Sequence, residues 1–222
     1  NGAGKTTTLR AIAGIIPPTR GRLAVGGMDI AADPVAAKKQ LAYVPDDPKL
    51  FDTLTVWEHL EFIAAAYRVE DFGGKASELM AQLQLEEKRN TIAQELSRGM
   101  RQKVAIACAY LHDPKALLFD EPLTGLDPRG IRTMKDSILQ RARGGAAVII
   151  SSHLLSLVED LSSHVLILHR GNRLLFAPIG EVRRQFGDLH PDATLEEVFF
   201  RATESEAKAG SPFAQPGERQ GG

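Results

Sequence analysis

The sequence has little of several features that mark specialised classes of protein. Its 222 residues include one cysteine, Cys108, which excludes an internal disulfide framework and a zinc module built from paired cysteines. Lysine and arginine number 27 and aspartate and glutamate 28, so the formal net charge is −1. That balance gives no support to nucleic-acid or anionic-membrane binding through bulk charge, and we expect no nucleic-acid partner. No apolar run approaches the roughly 20 residues that a membrane span needs.

The start of the chain is unusual because its first residue is Asn1 rather than methionine, and chemistry-bearing residues follow at once. We therefore expect the sequence to be cut on its N-terminal side. The lack of a signal peptide then carries no information about the compartment.

Hydrophobic patterning predicts an α/β protein. Two apolar strands, 116–119 and 147–151, flank a helical pattern, and this alternation favours a parallel sheet. Another short strand is predicted at 41–44. Between it and the next strand, the spacing of apolar residues predicts a helical block over about 51–104.

The C-terminal part of the chain shows two further patterns. Residues 165–169 and 173–177 alternate as a β-hairpin, with the turn predicted at Gly171 and Asn172. From about residue 201 the chain is rich in Ala, Gly, Ser, Pro and Glu without periodicity, so we expect a disordered tail over 201–222.

The first chemical motif is Gly2-Ala3-Gly4-Lys5-Thr6, which matches the end of a phosphate-binding loop. Glycines let backbone N–H groups approach phosphate oxygens, and the helix that follows directs its positive end toward the same anions. Lys5 would neutralise the β- and γ-phosphates, and the Thr6 hydroxyl would bind Mg²⁺. The first glycine of the motif would precede Asn1, so a plain glycine-rich helix start remains the alternative.

The second motif is the strand Ala116-Leu-Leu-Phe-Asp120-Glu121, in which two carboxylates end an apolar run. Buried carboxylates are costly unless they meet a cation, so Asp120 would hold Mg²⁺ through water. Glu121 would lie where it can polarise an attacking water. The alternative is a solvated acidic strand end before the turn at Pro122.

The third motif is Leu96-Ser97-Arg98-Gly99-Met100. Ser97 can cap a helix N-terminus, and Gly99 permits close backbone approach, so this helix start is a candidate second anion site. On its own the stretch also fits a simple capped amphipathic helix.

Taken together, these motifs resemble the ATP-binding cassette (ABC) family over about residues 1–200. Further matches are Gly125-Leu126-Asp127, which resembles the family's D-loop, and His153 in Ile149-Ile-Ser-Ser-His153, which resembles its switch histidine. The resemblance implies a single ATPase domain with a P-loop NTPase (RecA-like) core, a parallel sheet and an inserted α-helical subdomain. It also implies an ATPase that uses ATP and Mg²⁺ to power a membrane permease.

The resemblance implies roles for individual residues. Catalysis would involve Glu121, His153 and Lys5, and the metal would be held by Thr6, Asp46 and Asp120. The residues expected to contact nucleotide are Asn1, Gly2, Ala3, Gly4, Lys5, Thr6, Thr7, Asp46, Ser97, Gly99 and Asp127.

The family also implies partners. Two cassettes, identical or different, pair head to tail, so that Ser97 and Gly99 would touch the γ-phosphate held by the partner chain and Asp127 would cross the interface. The helical block would dock a permease helix, which places the chain at the cytoplasmic face of the membrane.

Two departures from the family pattern concern charge. Asp46 follows Tyr43-Val44-Pro45 where the family usually has Gln. The resemblance implies that a carboxylate there would add negative charge near the γ-phosphate. Arg98-Gly99-Met100 stands where Gly-Gly-Gln is common. This signature, together with Tyr-Val-Pro-Asp, is similar to that of the exporter branch of bacterial cassettes.

Three other interpretations remain open. A soluble cassette ATPase acting on nucleic acid or ribosomes would share the motifs, although relatives of that kind carry insertions or second cassettes not seen here. An ordinary P-loop kinase or GTPase would explain Lys5 and Asp120 but not Ser97 or His153. A cassette that binds nucleotide with little turnover is supported only by Asp46.

Overall fold

The computed structural model of the protein describes residues 2–182 and 194–209. The helices there are α1 (Lys5–Ile12), α2 (Pro34–Lys39), α3 (Val56–Tyr67), α4 (Phe72–Gln82), α5 (Arg98–Tyr110), α6 (Pro128–Arg143), α7 (Leu155–Leu161), α8 (Ile179–Val182) and α9 (Leu195–Ala209). The strands are β1 (Ala24–Val25), β2 (Met28–Asp29), β3 (Leu41–Val44), β4 (Ala116–Asp120), β5 (Ala147–Ser151), β6 (His164–His169) and β7 (Asn172–Pro178).

The described residues form two compact units. Residues 5–153 make up one, and residues 2–4 together with the described residues from 154 onward make up the other. The division of the chain into one domain over 1–200 and a helical subdomain over 51–104 stays a prediction.

The unit 5–153 is built on a three-stranded parallel sheet in the order β3-β4-β5. The apolar run of β4 explains its central place, because Leu117, Leu118 and Phe119 are almost fully buried. Parallel pairing places Asp120 opposite Ser151, so the carboxyl ends of the strands share one edge. The predicted parallel sheet is confirmed.

Between β3 and β4 the described regular structure is helical. Helix α3 begins with a capping box in which Thr55 and Glu58 each accept a hydrogen bond from the other's backbone N–H. Helix α5 begins after Ser97, its N-cap, as predicted. Leu60 on α3 and Val104 on α5 are fully buried.

The other unit contains the antiparallel pair β6-β7. Because His169 pairs with Asn172, the two turn residues are Arg170 and Gly171, one position earlier than predicted. Their φ angles are 46° and 80°, which fits a two-residue turn of the kind that requires positive φ at both positions. The apolar core of this unit comprises Val165, Ile167, Leu175, Ala177, Val182, Leu195 and Val198.

Helix α9 continues to Ala209 and so overlaps the start of the predicted tail. Alanine, glutamate and lysine are strong helix formers even where apolar periodicity is weak. The disorder of 201–222 stays a prediction. The rest of the predicted tail, 210–222, lies outside the described residues. None of the helices in the described ranges combines the length and apolar character that crossing a bilayer requires.

Candidate functional site

The carboxyl edge of the parallel sheet carries the predicted catalytic residues. Asp120 ends β4, Glu121 follows it, and His153 lies two residues after β5. Lys5 is the first residue of α1, and its ammonium reaches the same edge. The structure therefore brings together Lys5, Glu121 and His153, which lie far apart in the sequence.

Asp120 is a buried carboxylate, 4% exposed, with two hydroxyl partners. The Ser151 hydroxyl donates to its Oδ1, and the Tyr43 hydroxyl donates to its Oδ2 over 3.5 Å. Burial raises the pKa of Tyr43, which keeps the phenol protonated and able to donate. Two hydroxyls do not cancel the charge of a buried carboxylate, so Asp120 is suited to a nearby cation.

Glu121 lies between two basic side chains. Its Oε1 is 3.6 Å from the Lys5 ammonium, and its Oε2 is 2.9 Å from Nδ1 of His153. The His153 backbone N–H also donates to Oε2, over 3.3 Å. The side chain of Glu121 is only 16% exposed, which reduces the screening of these interactions by water.

The backbone of Glu121 is in the left-handed region, with φ of +52°. This conformation is uncommon for a residue with a side chain and is typical of functional sites. It is held in place because the Glu121 N–H donates to the Ser151 carbonyl over 3.0 Å. This backbone conformation sets the direction in which the Glu121 side chain projects from the end of β4.

The donor set at this edge fits Mg²⁺. Within the described residues, no group of three or more His, Cys, Asp and Glu side chains could hold a metal ion. Mg²⁺ typically uses one or two protein oxygens and completes its shell with water and substrate phosphates. The buried Asp120 carboxylate and the half-buried Thr6 in the first turn of α1 supply oxygens of that kind.

The segment before α1 has the backbone expected of a phosphate-binding loop. Gly2 and Gly4 have φ angles of 79° and 101°, which only glycine adopts without strain. The Gly171 N–H donates to the Ala3 carbonyl over 3.0 Å. Thr7 is exposed in the first turn of α1, and Asn1 lies outside the described residues.

The predicted signature turn packs against the predicted D-loop. A Cβ added to Gly99 would lie 2.9 Å from the Gly125 carbonyl oxygen, so only glycine fits there. Ser97 caps α5 by accepting from the Met100 N–H over 3.3 Å. Asp127 caps α6 in the same way, accepting from the Gly130 N–H over 2.8 Å.

Asp46 is not joined to the carboxylate cluster by any contact that the structure describes. Its Oδ1 accepts a hydrogen bond from the Arg98 guanidinium over 2.9 Å. Sequence reasoning did not predict the hydrogen bond from Arg98 to Asp46, nor those from Ser151 and Tyr43 to Asp120. For Ser151 a signal existed, because it ends the strand next to Asp120.

A second candidate surface lies on the helical side of the unit 5–153. A cavity of about 330 Å³ opens between α2, β3, α3 and α5, and its lining includes Ile63, Tyr67 and His112. The rings of Tyr67 and His112 stack with centroids 3.9 Å apart. Phe62 lies on α3, and Phe51 lies in the loop before that helix. Both side chains are about half exposed, and their rings contact each other edge to face.

Comparison with known proteins gives a consistent result. Residues 1–124 match the family model described as ABC transporter. The ABC-type transporter ATP-binding protein EcsA of Bacillus subtilis is 35% identical over 209 residues, covering 93% of this chain and 84% of EcsA. Human retinal-specific phospholipid-transporting ATPase ABCA4 is 38% identical over 180 residues, which are 77% of this chain but only 8% of ABCA4.

A solved structure supports the same fold. The structure described as an ATP binding subunit of an ABC transporter superposes with a TM-score of 0.85 and 34% identity. The match covers 91% of this chain and 85% of the other.

Proposed function

Because this chain belongs to the ABC transporter family as an ATP-binding, ATP-hydrolysing component, we propose that the carboxyl edge of its parallel sheet is where ATP is hydrolysed. The observation that carries this proposal is Glu121, a largely buried carboxylate held between Lys5 and His153 by a strained backbone.

Each residue of the cluster has a role that follows from its contacts. The Lys5 ammonium, now 3.6 Å from Glu121, would bind the β- and γ-phosphate oxygens. Glu121 would orient the attacking water and accept its proton. His153, bonded to Glu121 through both Nδ1 and its backbone N–H, would hold that carboxylate in place and contact the γ-phosphate.

Mg²⁺ belongs to the same proposal. Thr6 would bind it directly and Asp120 through water, and Ser151 and Tyr43 would hold the Asp120 carboxylate in position. When bound, the ion would offset negative charge on the transferring phosphate. Asp46 was also predicted to bind the ion, but its carboxylate accepts a hydrogen bond from Arg98, so we assign it to the surroundings of the γ-phosphate instead.

The proposed partners are a second cassette and a permease. A Ser97-capped helix start next to Gly99 offers backbone N–H groups to a phosphate held by another chain. The exposed Phe51 and Phe62, which contact each other edge to face, offer apolar surface to a permease helix. This docking would hold the chain at the cytoplasmic face of the membrane.

Export is the proposed direction of transport. It is supported by the Tyr43-Val44-Pro45-Asp46 segment and by the signature with Arg98 and Met100, which resemble the exporter branch.

The role of Glu121 is tested by Glu121→Gln, which keeps the size of the side chain but removes its basicity. We expect Mg-ATP affinity to stay within about twofold and the rate of phosphate release to fall by about a hundredfold or more, since general-base catalysis contributes on that scale. Glu87→Gln is the matched control, because Glu87 is exposed and outside the site. Hydrolysis by Glu121→Gln at the parent rate would contradict the proposed role.

A further inference from the structure

The two charged departures from the family pattern contact each other. Arg98, at the start of α5, donates to Asp46 over 2.9 Å, although 52 positions separate them. A second ion pair runs alongside, with Arg101 3.4 Å from Asp52. The loop 46–52 is therefore joined to the first turn of α5 by two ion pairs.

Arg98 also contacts a third segment. A Cβ added to Gly125 would lie 3.2 Å from Cδ of the Arg98 side chain. The stem of Arg98 therefore rests on the backbone of the loop that leads to Asp127, while its guanidinium reaches Asp46. Contacts at both ends of the side chain limit the positions that the guanidinium can take.

We propose that Arg98 is a positioning residue that neutralises Asp46 and holds its carboxylate at the nucleotide site. The inference rests on the proposed function, in which Asp46 lies near the γ-phosphate. An uncompensated carboxylate there repels the triphosphate, whereas one paired with a guanidinium 2.9 Å away adds little net charge. Arg98 thereby makes an aspartate compatible with a position where the family usually has an uncharged glutamine.

This role differs from that of an ordinary surface ion pair. The two side chains are about half exposed, at 53% for Arg98 and 46% for Asp46, so the pair itself adds little to folding stability. Loss of Arg98 would affect nucleotide binding because it leaves Asp46 charged, and removing the charge of Asp46 as well would then restore binding.

A double-mutant cycle tests this on the whole protein, with Mg²⁺ and the non-hydrolysable β,γ-imido analogue of ATP as the probe in calorimetric titrations. We expect Arg98→Gln to weaken binding about three- to fivefold, the size of a half-exposed charge interaction. Asp46→Asn alone should bind at least as tightly as the parent. The double variant Arg98→Gln/Asp46→Asn should return to within about twofold of the parent, and raising the salt concentration should shrink the Arg98→Gln defect.

Asp47→Asn is the matched control. Its carboxylate lies in the same loop but pairs with Lys49, whose hydrogen bond lowers the pKa of Asp47. Removing that charge should leave the affinity unchanged in both the parent and the Arg98→Gln background. Thermal melting of each variant verifies that the fold is intact.

Two results would overturn the inference. Arg98→Gln could bind as well as the parent, or the double variant could remain as weak as Arg98→Gln, which would mean that Arg98 acts directly on the nucleotide. Lys5→Ala separates these results from failure of the proposed function. If Lys5→Ala loses binding while the cycle shows no rescue, only the role of Arg98 is wrong; if Lys5→Ala binds normally, the phosphate-site assignment itself is wrong.

Discussion

At the scale of single residues, His112 shows how the cavity constrains protonation. Its Nε2 lies 3.3 Å from the Leu41 carbonyl, and its ring stacks on Tyr67. Its Nδ1 is buried without a hydrogen-bond partner. The neutral ring fits this site with Nε2 carrying the hydrogen, whereas protonation would place a second N–H where nothing accepts it. Burial accordingly lowers the pKa of His112.

This lowered pKa predicts a pH dependence of stability. As pH falls below the ordinary histidine pKa of about 6.5, the unfolded chain binds a proton that the folded chain does not, so folding becomes less favourable until the folded pKa is reached. Stability should therefore fall between about pH 8 and pH 5.5, and His112→Gln should reduce this fall. Thermal melting of both proteins at the two pH values measures it, and equal shifts would contradict the prediction.

The residue scale also shows where sequence reasoning ends. Asp120 and Glu121 could be predicted because they directly follow an apolar strand, and Lys5 because its motif is local. The Arg98–Asp46 pair could not be predicted, since a separation of 52 positions leaves no periodic signal. The bond from Tyr43 to Asp120 was equally hidden, because it depends on which strands become neighbours.

At the scale of elements, the signature turn and the loop before α6 are fitted together by glycines. Gly99 is the second residue of α5, where alanine has the better helix propensity. A methyl group at this position would lie 2.9 Å from the Gly125 carbonyl oxygen and 3.2 Å from Leu126. The absence of a side chain therefore allows the two segments to touch.

Gly99→Ala should consequently destabilise the protein. We expect the free energy of unfolding to fall by about 1–3 kcal/mol, because the clash involves backbone and exceeds the gain in helix propensity. Gly73→Ala on α4 is the matched control, since a Cβ there meets nothing within 4 Å. That control should raise stability by up to about 1 kcal/mol. Denaturant unfolding measures the free energy of unfolding of both variants and the parent. A Gly99→Ala variant as stable as the parent would contradict the prediction and show that the loop at Gly125 moves to accommodate the methyl group.

Elements with strong local signals were predicted well. The capping box at Thr55, the Ser97 cap and the strands of the parallel sheet all follow from short patterns. An error arose where the local signal was ambiguous. The hairpin turn was placed one residue late because Gly171 and Asn172 both tolerate positive φ.

At the scale of the whole molecule, the functional residues fall into two sets with different targets. Lys5 and Glu121 are within 3.6 Å of each other and serve one phosphate site in the proposal. Gly99 packs against the loop before Asp127, and Ser97 caps the helix that carries Gly99. Neither residue has a described contact with the Lys5–Glu121 cluster. A second cassette would supply the phosphate that the Ser97 helix start can bind, so the proposed catalytic unit is a dimer.

The dimer is tested with Glu121→Gln, which should bind ATP without turning it over. We expect light scattering to show a monomer without nucleotide and a dimer with Mg-ATP, because each ATP would join the phosphate loop of one chain to Ser97 of the other.

The sharpest control adds Ser97→Asp, since aspartate also caps a helix but places negative charge where the partner's phosphate would lie. That variant should bind ATP and stay monomeric. Dimers that form equally well with Ser97→Asp would place the signature turn outside the interface, and a Glu121→Gln protein that binds ATP as a monomer would exclude a shared site between identical chains.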